Sequence, residues 1–161
     1  MKKLVLSLFA AFAIAFSANA QFYGSGSLGI NIGGSSDNFS FGCHLDPGFG
    51  YQFNENSSLG LYLSIGGGGG AFSWSLNPYY RYTFASVSNF HFFGEALVSI
   101  GQTAALLDWG IGLVPGVAYS VSKKVDIITR IGYLGVKGLK SNTSFRFNLV
   151  DGTAIGVQYK F

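Results

Sequence analysis

The chain has 161 residues, of which 17% are aromatic and only 11% charged, with 24 glycines and a formal net charge of +3. A soluble domain normally carries roughly 25–35% charged residues on its surface, so a water-facing exterior is excluded for most of this chain, and the near-neutral balance leaves no basic footprint for nucleic acid. The single cysteine, Cys43, rules out an intrachain disulfide.

Residues 1–20 read as a secretory signal peptide. Lys2 and Lys3 form a basic start, Leu4 to Phe16 is apolar, and Ala18-Asn19-Ala20 is a small-x-small cleavage site before Gln21. The apolar run is too short for a comfortable membrane-spanning helix. Cleavage leaves residues 21–161 as one domain with a formal charge of +1, since two of the three net positive charges go with Lys2 and Lys3.

From Gln21 onward, apolar residues recur with a period of two, which predicts strands. Eight are expected, near 22–33, 39–53, 57–67, 71–85, 90–102, 109–122, 125–137 and 144–161. One parity is apolar: Leu28, Ile30 and Ile32 on the first strand, Phe41, Cys43, Leu45 and Phe49 on the second, Leu59, Leu61, Leu63 and Ile65 on the third. It continues with Trp74, Leu76, Tyr80, Tyr82 and Phe84 on the fourth, and Trp109, Ile111, Leu113, Val117 and Tyr119 on the sixth. On the fifth and seventh strands both parities carry apolar residues. The opposite parity is polar or small, and includes Ser27, His44, Asp46, Asn77, Arg81, Glu95, Arg130, Arg146 and Gln158.

Turns near 54–56, 86–89 and 122–124 fall on the side of the chain ends, and short links near 34–38, 67–70, 103–108 and 138–143 on the other. Tyr51, Tyr82, Tyr119 and Tyr159 each begin a Tyr-x-apolar step, and Pro47, Pro78 and Pro115 each precede the first three of them by four residues. Four similar strands, each paired with one running back, give the same count of eight. Proline inside a strand removes a ladder N–H, so a bulge is expected near each of the three.

Aromatic residues sort into two belts. Phe22, Phe53, Phe84, Phe92, Tyr119, Tyr159 and Phe161 fall near the end holding the termini, and Phe39, Trp74, Trp109, Tyr133 and Phe145 near the other. Two aromatic girdles around an aliphatic band mark a membrane barrel, which also satisfies every backbone hydrogen bond in lipid. The fold class expected is all-β: an eight-stranded antiparallel up-and-down transmembrane β-barrel preceded by a cleaved signal peptide. A soluble lipocalin-like barrel would need the parities reversed, with too few charges left for its outside.

NPYYRYTF, VPGVAYSVSKKV, IGYLG and the terminal GVQYKF resemble the small outer-membrane β-barrel family, OmpX-like eight-stranded barrels often grouped as porin family proteins. The likeness covers residues 21–161. It implies an integral protein of a Gram-negative outer membrane, reached through the periplasm, with outer-membrane lipid and the barrel assembly machinery as partners. It also implies that the last strand, with Tyr159 and Phe161, is the assembly signal. The family has no shared catalytic residues, and no cofactor or metal is expected.

Other motifs resolve into structure. Gly24-Ser-Gly-Ser-Leu-Gly29 matches a dinucleotide fingerprint but precedes no helix. The five glycines from Gly66 read as a link. Two histidines and one cysteine on unlike faces make a poor metal site. A lipid-modifying serine hydrolase would need a histidine near the far end, and only His44 is there, pointing inward.

Inside the expected barrel, Arg81 and Glu95 are symmetric about a turn near residue 88, so they should face each other. Arg130 arrives at a similar height opposite Gly116. The three are expected to form a lumen charge cluster with Glu95 between the arginines. Eight strands leave an interior just filled by side chains. The function expected is a structural or interaction role with a filled lumen, possible membership of a larger outer-membrane complex included. The alternatives are a narrow pore for ions or very small solutes and, more remotely, a lipid-modifying enzyme.

Overall fold

The computed structural model describes residues 21–35, 38–68, 71–103, 106–139, 142–148 and 153–161; the expected signal segment, 1–20, lies outside them. Ten strands follow one another: β1 (Gln21–Ser35), β2 (Asn38–Gln52), β3 (Ser57–Gly68), β4 (Ala71–Val87), β5 (Phe90–Thr103), β6 (Leu106–Ser120), β7 (Val125–Arg130), β8 (Tyr133–Leu139), β9 (Asn142–Asn148) and β10 (Thr153–Lys160). Every pairing is antiparallel. β1 to β6 pair in chain order, β6 pairs with both β7 and β8, and β10 pairs with β7 and β1. β7 with β8, and β9 with β10, are therefore halves of two staves, and the sheet closes as an eight-stranded barrel. The ring β1 to β6, β7 and β10 closes on itself, so each of these strands is paired on both sides, which is what an apolar exterior requires.

The period-two reading of the faces holds along the described side chains of β1 to β3, along β4 as far as Thr83, and along β6. Leu28, Leu45, Phe49, Leu59, Leu61, Leu76, Ile111 and Leu113 are exposed, while Ser27, Asp46, Ser58, Asn77, Arg81, Glu95 and Gln158 are buried. Cys43 is exposed on the outer face. The side chains of Ile32, Phe39, Arg146 and Asn148 lie outside the described residues. Gly66 to Gly68 belong to β3, so this part of the expected glycine link is strand, and residues 69 and 70 lie outside the described residues.

Strand ends on the terminus side are fixed by short polar turns. Asn54 Oδ1 accepts from the Asn56 and Ser57 amides, both at 2.9 Å, the side-chain-to-backbone closure that suits asparagine to turns. Ser122 Oγ accepts from Val125 N at 3.1 Å in the turn before β7.

Prolines act differently from expectation. At Pro47 the pairing with β3 passes from Leu45↔Ile65 to Gly48↔Tyr62, three residues on each strand, so the register is kept. At Pro78 it passes from Leu76↔Ile100 to Tyr79↔Leu97, again three on each. The missing N–H opens the ladder locally and no residue is inserted. Only beside Pro115 is there a bulge, and it lies in the partner: Leu113 faces Leu134 and Gly116 faces Arg130, so two residues of β6 oppose three, 131–133. Gly132 sits there at φ 71°, a conformation that glycine adopts freely, and Ile131 N donates to Pro115 O at 2.9 Å. The bulge reverses parity on the seventh stave. Asp126, Ile128 and Arg130 are buried before it, Tyr133 after it. Tyr133 is thus an inward residue and not part of the outer aromatic belt. A second irregularity, between Thr83 and Ala85, falls at no proline.

Candidate functional site: a charged aromatic layer across the lumen

The inward parity is not only polar and small. Tyr23, Tyr62, Tyr79 and Phe93 are buried inside the barrel, and each lies across from a glycine: Tyr23↔Gly50, Gly48↔Tyr62, Gly60↔Tyr79 and Phe93↔Gly116. A Cβ on any of these glycines would run into the facing ring. The glycines make room for rings to lie flat against the opposite strand, the arrangement by which an aromatic covers a cross-strand glycine. Tyr62 and Tyr79 stack at 4.2 Å with their planes 10° apart, and Tyr23 and Tyr79 share a hydroxyl contact of 2.7 Å.

Arg81 sits within this aromatic cage. Its guanidinium lies 4.5 Å from the Phe93 ring centre and 5.5 Å from that of Tyr79. Arg81 and Glu95 are register partners. Arg81 Nε donates to Glu95 Oε1 at 2.8 Å, and the other nitrogens donate to Gln158 Oε1 at 2.9 Å and to the Tyr62 hydroxyl at 2.8 Å. Tyr62 in turn donates to Glu95 Oε1 at 3.0 Å. Glu95 is 0% exposed, a position a carboxylate tolerates only when paired and hydrogen-bonded.

Arg130 is at the expected height, opposite Gly116, but it is not the second partner of Glu95. Glu95 faces Val114, two residues from Gly116, and the space left by Gly116 is occupied by the Phe93 ring. Arg130 turns the other way, past β10 to β1 and β2, where it donates to Asp46 Oδ2 at 2.7 Å and to the Ser27 hydroxyl. Its guanidinium lies 4.3 Å from the centre of the Tyr62 ring. The layer therefore holds two ion pairs, Arg81–Glu95 and Arg130–Asp46, with Tyr62 between them. His44 Nε2 approaches Asp46 Oδ2 at 3.4 Å.

Asp46 and Tyr62 are the members of this layer that the symmetry of Arg81 and Glu95 about the turn does not reveal. Asp46 was visible as an inward carboxylate, but its partner depends on which way Arg130 turns. Tyr62 lies on the inward parity of its strand, opposite to Leu61 and Leu63, but that parity was expected to hold only polar and small residues; the facing Gly48 was the further signal.

On one side of this layer a cavity of about 590 Å³ runs away from the termini. His44, Asp46, Tyr62 and Arg130 lie at its floor, and Thr103 and Asp108 at its far end. Asn77 is tied to the wall by Nδ2 donating to Ser64 Oγ at 2.9 Å and to Ser75 Oγ at 3.0 Å. On the terminus side a second chain of contacts runs Ser86–His91–Ser120–Asp126, at 2.9, 3.1 and 2.7 Å, and ends in a 2.7 Å ion pair with Lys160.

No protein-family model matches the sequence, and no curated protein matches it. The crystal structure of Neisserial surface protein A (NspA) superposes with a TM-score of 0.68 at 16% identity, covering 89% of this chain and 99% of that one. By fold, the chain is similar to NspA. A structure from the de novo design of transmembrane β-barrels matches at a TM-score of 0.48 and 14% identity, over 88% of this chain and 93% of that one. A KdgM porin in complex with disordered oligogalacturonate matches at 0.38 and 14%, over 88% and 99%.

On the outer face aromatic residues lie toward both ends of the barrel; Tyr133 is not among them, and the Phe39 side chain lies outside the described residues. At the terminus end Phe22 packs on Phe49 and Tyr51 at 5.5 and 4.9 Å, Tyr51 on Phe53 at 5.3 Å, Phe90 on Tyr119 at 4.9 Å, and Tyr159 on Phe161 at 5.5 Å, with Phe84 exposed beside them. Toward the other end Trp74, Trp109 and Phe145 are exposed. Phe161 continues the seam between β10 and β1: its amide donates to Phe22 O at 3.0 Å, and Gln21 Nε2 donates to its carbonyl at 2.7 Å.

Proposed function

We propose that this chain is a small integral barrel of a bacterial outer membrane, of the OmpX-like kind, with a structural or interaction role and no catalytic one. Residues 1–20 are its export signal, and Tyr159 and Phe161 are read by the barrel assembly machinery. A continuous belt of exposed aliphatic side chains between two aromatic rims supports the membrane assignment. Water would penalise it heavily, and lipid does not. The NspA-like fold is consistent with it.

The observation that carries the role is the layer of Arg81, Glu95, Arg130, Asp46 and four inward rings, which occupies the lumen at mid-height. Paired charges packed against rings leave little room for hydrated ions to pass, which argues against a narrow pore. Planar-bilayer recording of the refolded protein tests this. The expected trace is electrically silent. Steady, ion-selective openings that scale with protein added would replace the plugged barrel by a pore.

A further inference from the structure

The cavity beyond the charged layer has the chemistry of a binding cup, and we propose that it takes a small neutral polyhydroxylated solute of sugar size. Its volume of about 590 Å³ lies within the ~300–1,000 Å³ usual for small-molecule sites. The wall from β3, β4 and β5 presents Ser64, Ser73, Ser75, Asn77 and Ser99. Short hydroxyls and an amide both donate and accept, which matches a ligand whose own groups do both. Leu97 and Val114 lie lower in the cavity, giving an apolar patch for the C–H face that such a ring carries.

Charge selects against ionic ligands. The lining carries Asp46 and Asp108 against Arg130 and Lys137, two of each sign. Arg130 is engaged by Asp46, and Asp108 Oδ2 accepts from Thr103 at 2.7 Å. An ion entering would gain no net attraction and would lose its hydration. One acceptor is unpartnered at the floor: Asp46 is 1% exposed, and its buried Oδ1 has no hydrogen-bond partner among the described residues. A buried carboxylate oxygen gains from any hydroxyl donor that reaches it. The layer below closes the cup, so the solute binds and leaves by the same end, and the site retains its ligand without transporting it.

The test uses the full refolded chain in a detergent without a sugar headgroup, titrated with glucose, sucrose and glycine while the Asn77 side-chain amide is followed by NMR. At least one sugar is expected to shift that resonance saturably, with a dissociation constant of about 1 mM, and glycine to leave it unmoved. Ser99→Phe puts a ring into the cup from a position facing Gly110 and removes no hydrogen bond seen in the structure; it should abolish the shift. Ala96→Phe, on the outer face of the same strand, should leave it intact. Failure of both sugars to saturate, equal shifts in Ser99→Phe, or saturation by glycine instead would each overturn the proposal.

Discussion

Single residues decide the lumen. Glu95 is wholly buried, its Oε1 holding Arg81 and Tyr62. Replacing Glu95 by Ala leaves the Arg81 guanidinium buried without its counter-charge, and breaking a buried pair from one side costs ~3–5 kcal/mol. Removing both partners leaves no uncompensated charge, so the double variant should lose clearly less than the sum of the singles. Urea unfolding of Glu95→Ala, Arg81→Ala and the double variant measures this, and strictly additive costs would mean that the pair contributes no coupling. Glycines offer a cleaner contrast. A methyl on Gly60 would enter the Tyr79 ring, whereas nothing lies within 4 Å of the position a methyl on Gly26 would take. Gly60→Ala should destabilise by ~1–3 kcal/mol through overpacking, and Gly26→Ala should be neutral or mildly stabilising, because glycine is the poorer strand residue. Equal effects in a parallel urea titration would show that the rings do not need their glycines.

At the level of elements, the period-two pattern carried most of the fold. All eight staves, the terminus-side turns and most of the outward faces of the first four strands and the sixth were legible, because outward-facing and lumen-facing positions differ so sharply in polarity. What failed was local. The prolines predicted three bulges, yet Pro47 and Pro78 break the ladder without inserting a residue, and the parity changes fall at Gly132 and between Thr83 and Ala85. A missing N–H constrains hydrogen bonding, whereas a bulge requires an extra residue, and sequence alone shows only the first. Inward rings were missed for a different reason: Tyr62 lies on the inward parity but outside the polar and small set expected there, and Phe93 lies on a strand with apolar residues on both parities, where only its pairing with Gly116 marks the inner face. The last strand gives a prediction of its own. Phe161 extends the β10–β1 seam through its backbone and sets its ring beside Tyr159. Deleting Phe161, or replacing both residues by Ser, should sharply reduce the amount of heat-modifiable barrel recovered from membranes. Normal accumulation of the truncated chain would remove this strand from assembly.

For the molecule as a whole, the decisive question is what the exposed belt touches. Trp74 and Trp109 are the only tryptophans in the chain, so its indole emission is theirs alone. They are 38% and 40% exposed, on the outer face. Both lie toward the end away from the termini: Trp74 pairs with Gln102, and Trp109 with Ile100, two residues along the same strand. An indole settles at the border of the hydrocarbon, where the ring is in apolar surroundings and the N–H meets polar groups. Brominated lipids labelled near the headgroup should therefore quench the emission more than lipids labelled deep in the acyl chain. Trp74→Phe and Trp109→Phe should each retain that order, since the two rings sit at nearly one height. Aqueous iodide should quench weakly, because most of each tryptophan is covered by its neighbours and, in a membrane, lipid would shield the rest. A barrel standing in water would give the reverse, strong quenching by iodide and none by either lipid. That outcome would leave the closed sheet intact as a fold and remove the membrane from its function.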